Sequence, residues 1–242
     1  MVKEMFVASF RAESRALRAI STRGCRNMTP LMPDILTSLD HLILGTRDLM
    51  TGIKFVEQFT AVRAAFGGVH LGVEPITPCL PLAPKCYLEI LAPDPQQNEL
   101  TWFRTLPQLT KPCLVGWMVH PSDSLVVVAD RLRKTGIACD GPRESSRQTP
   151  DGRTLRWKLL RLADDRHGLL PILIEWRVDS PHPATDAPSG CRLVRFEISG
   201  PQPSDLQQVL NVLGLDLPIV KSDRPQLRAS IESSKGILEL TS

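Results

Sequence analysis

The sequence lacks a Cys-x-x-Cys pair: its six cysteines (Cys25, Cys79, Cys86, Cys113, Cys139, Cys191) follow no regular spacing, which excludes a zinc ribbon. It lacks any apolar run near the roughly 18–20 residues of a membrane helix, because charges or prolines interrupt every candidate. It shows no secretory signal, so the cysteines read as reduced thiols of an intracellular, cytoplasmic protein. It also lacks a basic surplus over most of its length. The formal charge of +3 comes from residues 1–28, where Lys3, Arg11, Arg15, Arg18, Arg23 and Arg26 outnumber Glu4 and Glu13, and the rest of the chain carries a formal −1. Without that surplus there is nothing to drive counterion release from a phosphate backbone. Neither a nucleic acid nor a membrane is expected as a partner.

What is there is ordinary for a folded protein: 242 residues, 42% hydrophobic and 23% charged, enough to bury a sizeable core. Residues 1–35 read as an extension, rich in Arg, Ser and Ala and ending at Thr29-Pro30-Leu31-Met32-Pro33. It is either a disordered leader ahead of a start at Met28 or Met32, or an organellar transit peptide. Glu4 and Glu13 count against the second, since transit peptides are poor in acids.

From Leu39 the chain becomes rhythmic. Leu39–Leu44 reads as a strand closed by Gly45, and Asp48 as the cap of a helix from Leu49 to about Thr60, with Leu49, Ile53, Val56 and Phe59 at helical spacing. Two strands are expected between Ala64 and Leu82, and a strong one at Cys86–Leu91, stopped by Pro93. The order β-α-β-β-β then returns. A strand at Leu114–His120 leads to a helix Ser124–Lys134 capped by Ser122 or Asp123, then to strands near Ile137–Cys139, Thr154–Leu162 and Ile172–Val178, with a hairpin at Pro150-Asp151-Gly152. A third, shorter copy is expected from strand Arg192–Ser199, helix Ser204–Leu213 and strands Leu227–Ser233 and Gly236–Leu240. Each copy ends alike, in Tyr87-Leu88-Glu89-Ile90, Leu173-Ile174-Glu175-Trp176 and Ile237-Leu238-Glu239-Leu240, and such repetition weighs more than any single motif.

The order and spacing of several pieces resemble the glyoxalase-like group of the vicinal oxygen chelate superfamily. These pieces are Leu39-Asp40-His41-Leu42, Gly67-Gly68-Val69-His70, Tyr87-Leu88-Glu89-Ile90, Gly116-Trp117, Arg147 with Pro150-Asp151-Gly152, and Ile174-Glu175-Trp176. The resemblance implies an α+β fold of paired βαβββ modules, whose curved mixed sheets face each other around a cleft over residues 36–185. A C-terminal βαββ half-module, 186–242, is expected to pack on it. In metal-dependent members a divalent ion sits on the first and last strands of each module. Carried over, the ligands fall on His41, Glu89 and Glu175, a set that suits Zn, Mn, Ni or Fe. The fourth falls near Gly116 or Trp117, and neither can bind a metal.

In that reading Glu89 and Glu175 are the catalytic carboxylates, and Arg147, Trp117 and His70 touch the substrate. The implied activity is that of a small-molecule lyase, isomerase or dioxygenase-type enzyme on a vicinal-oxygen or α-keto compound, with a homodimer allowed. Each residue also has a plainer reading. His41 can be a core histidine bonded to Glu89, and Glu175 can pair with Arg156, Arg161 or Arg177. Arg147 and Arg153 can be surface charges, since exposure is the default for arginine. Trp117, Trp157 and Trp176 can be core, and His182 a turn residue. The prolines at 75, 78 and 81 remove backbone donors, so the strand there is expected to be an irregular edge or a loop. That departure keeps a second class open: a metal-free binding or sequestration protein, or an inactive relative.

Overall fold

The computed structural model describes residues 37–70, 75–93, 103–149, 151–185 and 188–242; the extension expected over residues 1–35 lies outside them. Two stretches repeat one order. The first holds β1 (Leu39–Gly45), α1 (Leu49–Thr60), β2 (Ala65–His70), β3 (Pro75–Ala83) and β4 (Cys86–Leu91). The second holds β5 (Cys113–Val119), α2 (Leu125–Lys134), β6 (Cys139–Gln148), β7 (Thr154–Leu162) and β8 (Ile172–Trp176). Helix α1 begins as its sequence demands: Asp48 is extended and its carboxylate accepts the Thr51 N–H at 2.8 Å, satisfying one of the donors a helix start leaves bare.

The modules form curved sheets ordered β1-β4-β3-β2 and β6-β7-β8-β5, joined edge to edge in a ring of eight strands. One junction is the long antiparallel pairing of β1 with β5. The other is a short seam between β2 and β6, where Val69 faces Gln148 and His70 faces Arg147. Alternation along each strand sorts side chains to the two faces of the ring. Inside lie Ile43, Leu91, Met118, Leu155, Trp157, Leu159, Ile172 and Ile174. Outside, Leu42, Leu88, Ile90, Trp117 and Leu173 join the apolar stripes of the helices in a larger core.

One end of the ring is plugged. A Cβ on Gly45 would lie 2.5 Å from Val115 and 2.7 Å from Leu106, and one on Gly116 would lie 3.3 Å from Phe103. Only glycine lets the segment between β4 and β5 come that close. The polar groups described below gather at the other end.

Three expectations change. The strand expected near Ile137–Cys139 is the start of a ten-residue β6 that reaches Gln148. The proline-rich stretch is neither edge nor loop: β3 pairs with β2 on one side and β4 on the other, and its pairing with β4 shifts register between Ile76 and Cys79 and between Pro81 and Ala83. Bulges at these points accommodate residues that cannot donate to the ladder. The third copy, β9 (Cys191–Gly200), α3 (Pro203–Leu213), β10 (Ile219–Lys221), β11 (Gln226–Ser233) and β12 (Gly236–Thr241), is not a half-copy of the others. Its order is β10-β9-β11-β12, so its first strand pairs with its second and third and never with its last. It packs on the outside of the ring, with Phe196 against Trp117 at a centroid separation of 5.1 Å.

Candidate functional site

The site begins with one extra residue. In the pairing of β1 with β5, Leu39 faces Val119 and His41 faces Met118, which leaves Asp40 as a bulge. A bulge re-aims side chains. Here it lets two successive residues, Asp40 and His41, serve one buried cluster. Asp40 has no solvent exposure, a position that ruins a carboxylate unless donors surround it. They do. Its Oδ1 accepts from His41 Nδ1 at 2.7 Å, and its Oδ2 accepts from Trp176 Nε1 at 2.8 Å and His182 Nε2 at 3.3 Å. His120 Nδ1 stands 3.8 Å from the same oxygen. The tautomer of a neutral His182 follows from its other nitrogen: Nδ1 accepts the Ala184 N–H at 3.2 Å, so the proton sits on Nε2 and points at Asp40.

His41 is held on both sides. Its ring stacks on Tyr87 at 4.5 Å, and its Nε2 lies 3.4 Å from Glu89 Oε2. That nitrogen is buried and makes no aligned hydrogen bond among the described residues. Burial opposes charge on His41, yet the hydrogen bond to Asp40 and the close approach and charge of the Asp40 and Glu89 carboxylates push its pKa up to about 9. Burial would likewise raise the Asp40 carboxyl, but hydrogen bonds from His182 and His41, and the charge on His41, hold it well below the ordinary carboxylate range. His120 moves the other way, its pKa lowered by burial. At neutral pH the cluster is an imidazolium between two carboxylates, on the inner face of the ring.

The residues singled out from sequence scatter. His41 and Glu89 meet. Glu175 does not join them. In β8 the inward positions are Ile172, Ile174 and Trp176, because Trp176 pairs with Trp157 and Ile174 with Leu159. Glu175 therefore points outward, where its Oε2 accepts the Leu125 N–H at 2.7 Å and its Oε1 lies 3.4 Å from Lys158 Nζ. It caps α2 from another strand and stands in for the Ser122 or Asp123 cap expected there; Ser124 is the N-cap residue and its hydroxyl caps nothing. Glu175 thus stands one residue out of phase with Glu89, and a slip of one flips every side chain to the other face.

Trp117 is also corrected. It is fully buried on the outer side, its Nε1 donating to Leu169 O at 3.1 Å, and it touches no cleft. Arg147 is not the surface charge its type suggests: it is 3% exposed, the one buried residue of β6. It pairs with Leu155 of the inner cluster, and directly opposed residues share a face. The His70 side chain lies outside what is described. Sequence reasoning missed Asp40, Trp176 as its donor, and His182. The signal was thin: an Asp-His pair in an apolar strand, and a histidine before proline.

A divalent ion needs three or four protein donors. Among the described residues the donor set facing the ring stops at His41 Nε2 and Glu89, since Glu175 points away and the facing residues of β5 are Gly116 and Met118. No group of three or more His, Cys, Asp or Glu side chains placed to hold a metal occurs among the described residues. The described residues by themselves do not make a metal centre.

Paired βαβββ modules closing into a ring define the class of fold, and comparison with known proteins agrees on it. The profile described as a glyoxalase-like domain matches residues 39–214, and the chain belongs to that family. A solved structure from Staphylococcus aureus, titled a hypothetical protein, is 14% identical, covers 84% of each chain and superposes with a TM-score of 0.56, a likeness of fold. Weaker similarities are to a Streptomyces coelicolor methylmalonyl-CoA epimerase (18% identical, 60% of this chain and 98% of that one, TM-score 0.42) and to a xylose isomerase-like TIM barrel/4-hydroxyphenylpyruvate dioxygenase fusion protein (14%, 96% and 35%, TM-score 0.39). No curated protein matches the chain. No helix among the described residues is long and apolar enough to cross a membrane.

Proposed function

We propose that the chain is a small-molecule enzyme of the isomerase or lyase type, which moves a proton at a carbon beside a carbonyl of a vicinal-oxygen or α-keto compound. One observation carries this reading: a buried imidazolium, His41, fixed by Asp40 at 2.7 Å with its second nitrogen 3.4 Å from Glu89, on the inner face of the ring. A carbonyl oxygen set beside the pair, within reach of His41 Nε2, would take a hydrogen bond from it as negative charge develops. Glu89 would take the proton from the adjacent carbon and return it to the enolate, so that nothing else is consumed. Asp40 and Trp176 act through His41 and Asp40 respectively, by holding the ring in place.

A second reading has its own observation. Nδ1 of His41 is bound by a carboxylate while the buried Nε2 is left without an aligned partner, the arrangement an outer-shell carboxylate gives to a metal-ligating imidazole. A bound zinc, manganese, nickel or iron ion would then need a donor beyond those described.

Both readings are tested by following deuterium uptake from heavy water into 2-oxobutyrate by NMR, with untagged protein before and after chelation and with its metal content measured. Exchange that survives chelation and is lost in Glu89→Gln and His41→Gln supports proton transfer without metal. Stoichiometric metal, with exchange lost on chelation, replaces it with the second reading. Exchange no faster than in buffer, with no metal, leaves a binding protein and sinks both.

A further inference from the structure

Arg147 is the charge the mechanism above does not use. It is 3% exposed, its Nε has no hydrogen-bond partner, and no carboxylate pairs with its guanidinium among the described residues. A guanidinium is permanently charged, and burying it without a counter-ion is costly. The strand that carries it, Cys139–Gln148, is otherwise polar and half or wholly exposed. A protein that needed only packing here would place an apolar residue opposite Leu155.

Register fixes where the side chain points. Arg147 faces Leu155; two residues on, Ser145 faces Trp157, and Trp157 faces Trp176, whose indole holds Asp40. Arg147 therefore occupies the inward-facing layer next to the Trp157–Trp176 pair, on the same side of the ring as the Asp40–His41 cluster and away from the plugged end. Its neighbours on that face, Leu155 and Trp157, are apolar.

We infer that Arg147 is the anchor for the carboxylate of a small organic acid bound inside the ring, with the apolar or aromatic body of that acid against Trp157 and Trp176. The fork of a guanidinium matches the two oxygens of a carboxylate, and a single buried cation balances a single negative charge. The inference rests on the reading of the ring interior as a small-molecule site and names the class of its ligand. It does not depend on proton transfer.

The test is calorimetric titration of the full chain with phenylacetate and with its uncharged isostere phenylacetamide, at neutral pH. Phenylacetate should bind at least about tenfold more tightly than the amide. Arg147→Met should weaken phenylacetate by about 30-fold or more, as expected when a buried charged contact is lost, and leave the amide unchanged; Arg147→Lys should fall between. Without ligand, Arg147→Met should melt no lower than the wild type, because an apolar side chain removes a buried charge that no described carboxylate compensates. Equal binding of acid and amide, unchanged phenylacetate binding in Arg147→Met, or a clear loss of stability in that variant would each overturn the assignment. Failure of deuterium exchange with phenylacetate binding intact would strike only the proton-transfer reading.

Discussion

The two modules put nearly the same words in the same places and make opposite use of them. In the first, β1 and β4 bring His41 and Glu89 to the inner face, with Ile43 opposite Glu89 in register. In the second, the equivalent corner of β5 and β8 offers Met118, Ile172 and Ile174 to the interior, while Glu175 turns outward to the start of α2. A carboxylate in a strand of apolar neighbours has only two ways to be tolerated. One faces inward and finds a charged partner; the other faces outward and finds a helix terminus. Parity alone decides between them, and the consequence is a ring with a polar corner on one module and an apolar one on the other.

The largest effect that can test this asymmetry lies at Asp40. Removing one member of a buried charged network leaves the others unpaired, and Asp40→Ala strips a partner from His41, Trp176 and His182 together. A loss of about 3–5 kcal/mol is expected. For a domain of this size that is a fall of roughly 10 °C in melting temperature, at about 2–4 °C per kcal/mol. Asp40→Asn, which keeps the shape, should cost less, and its His41 should titrate lower because a charge has gone. Calorimetric melting with NMR titration of His41 reads both. If Asp40→Ala melts within a degree or two of the wild type, Asp40 does not hold the buried cluster of the first module together.

How much of this could be read beforehand depends on what alternation can and cannot say. The paired βαβββ order, the Asp48 cap and the inward place of His41 and Glu89 were legible because apolar periodicity and caps are local. The outward turn of Glu175 was not. Residues Leu173-Ile174-Glu175-Trp176 look the same in either phase, and only the register of Trp176 with Trp157 selects one. Asp40 was hidden for a related reason: in a regular strand it would face away from His41, and only the bulge against β5 brings the two together. His182 lies 142 residues from Asp40 in sequence, a pairing no local pattern encodes. Arg147 was open to two readings, a substrate contact or a surface charge, and its burial follows from pairing with Leu155, again a matter of register.

A middle-sized effect comes from pH. His41 is raised from an unfolded value of 6.5 to about 9. A raised imidazole binds its proton more tightly in the folded chain. Its contribution is complete below the unfolded value and is lost as pH rises through the folded one. Asp40, lowered on folding, contributes above its unfolded value of 3.8 and loses that only as pH falls, so it does not tilt the same window. His120, lowered from 6.5, acts at and below that value. Between about pH 6.5 and 9 the wild type should therefore lose stability relative to His41→Gln, as read by denaturant unfolding across that range. Parallel curves for the two proteins would mean that Asp40 and Glu89 do not hold a proton on His41.

The smallest effect belongs to the apolar corner, and it separates the two carboxylates most cleanly. Glu175→Ala removes an acceptor from the Leu125 N–H and a negative charge from the start of α2, so a loss of about 1 kcal/mol is expected, the usual cost of a lost helix cap. Glu175→Gln keeps an acceptor and gives up only the charge, so it should cost about half as much, in the range of a charge near a helix dipole. Lys158, at 3.4 Å and partly exposed, adds little to either figure because water screens the pair. Neither variant should alter phenylacetate binding or deuterium exchange, whereas Glu89→Gln should abolish exchange with the fold intact. Melting curves and exchange rates measured on the three variants together decide the matter. Should Glu175→Gln lose exchange as fully as Glu89→Gln, the outward carboxylate reaches the reacting groups after all, and the two corners are working as one.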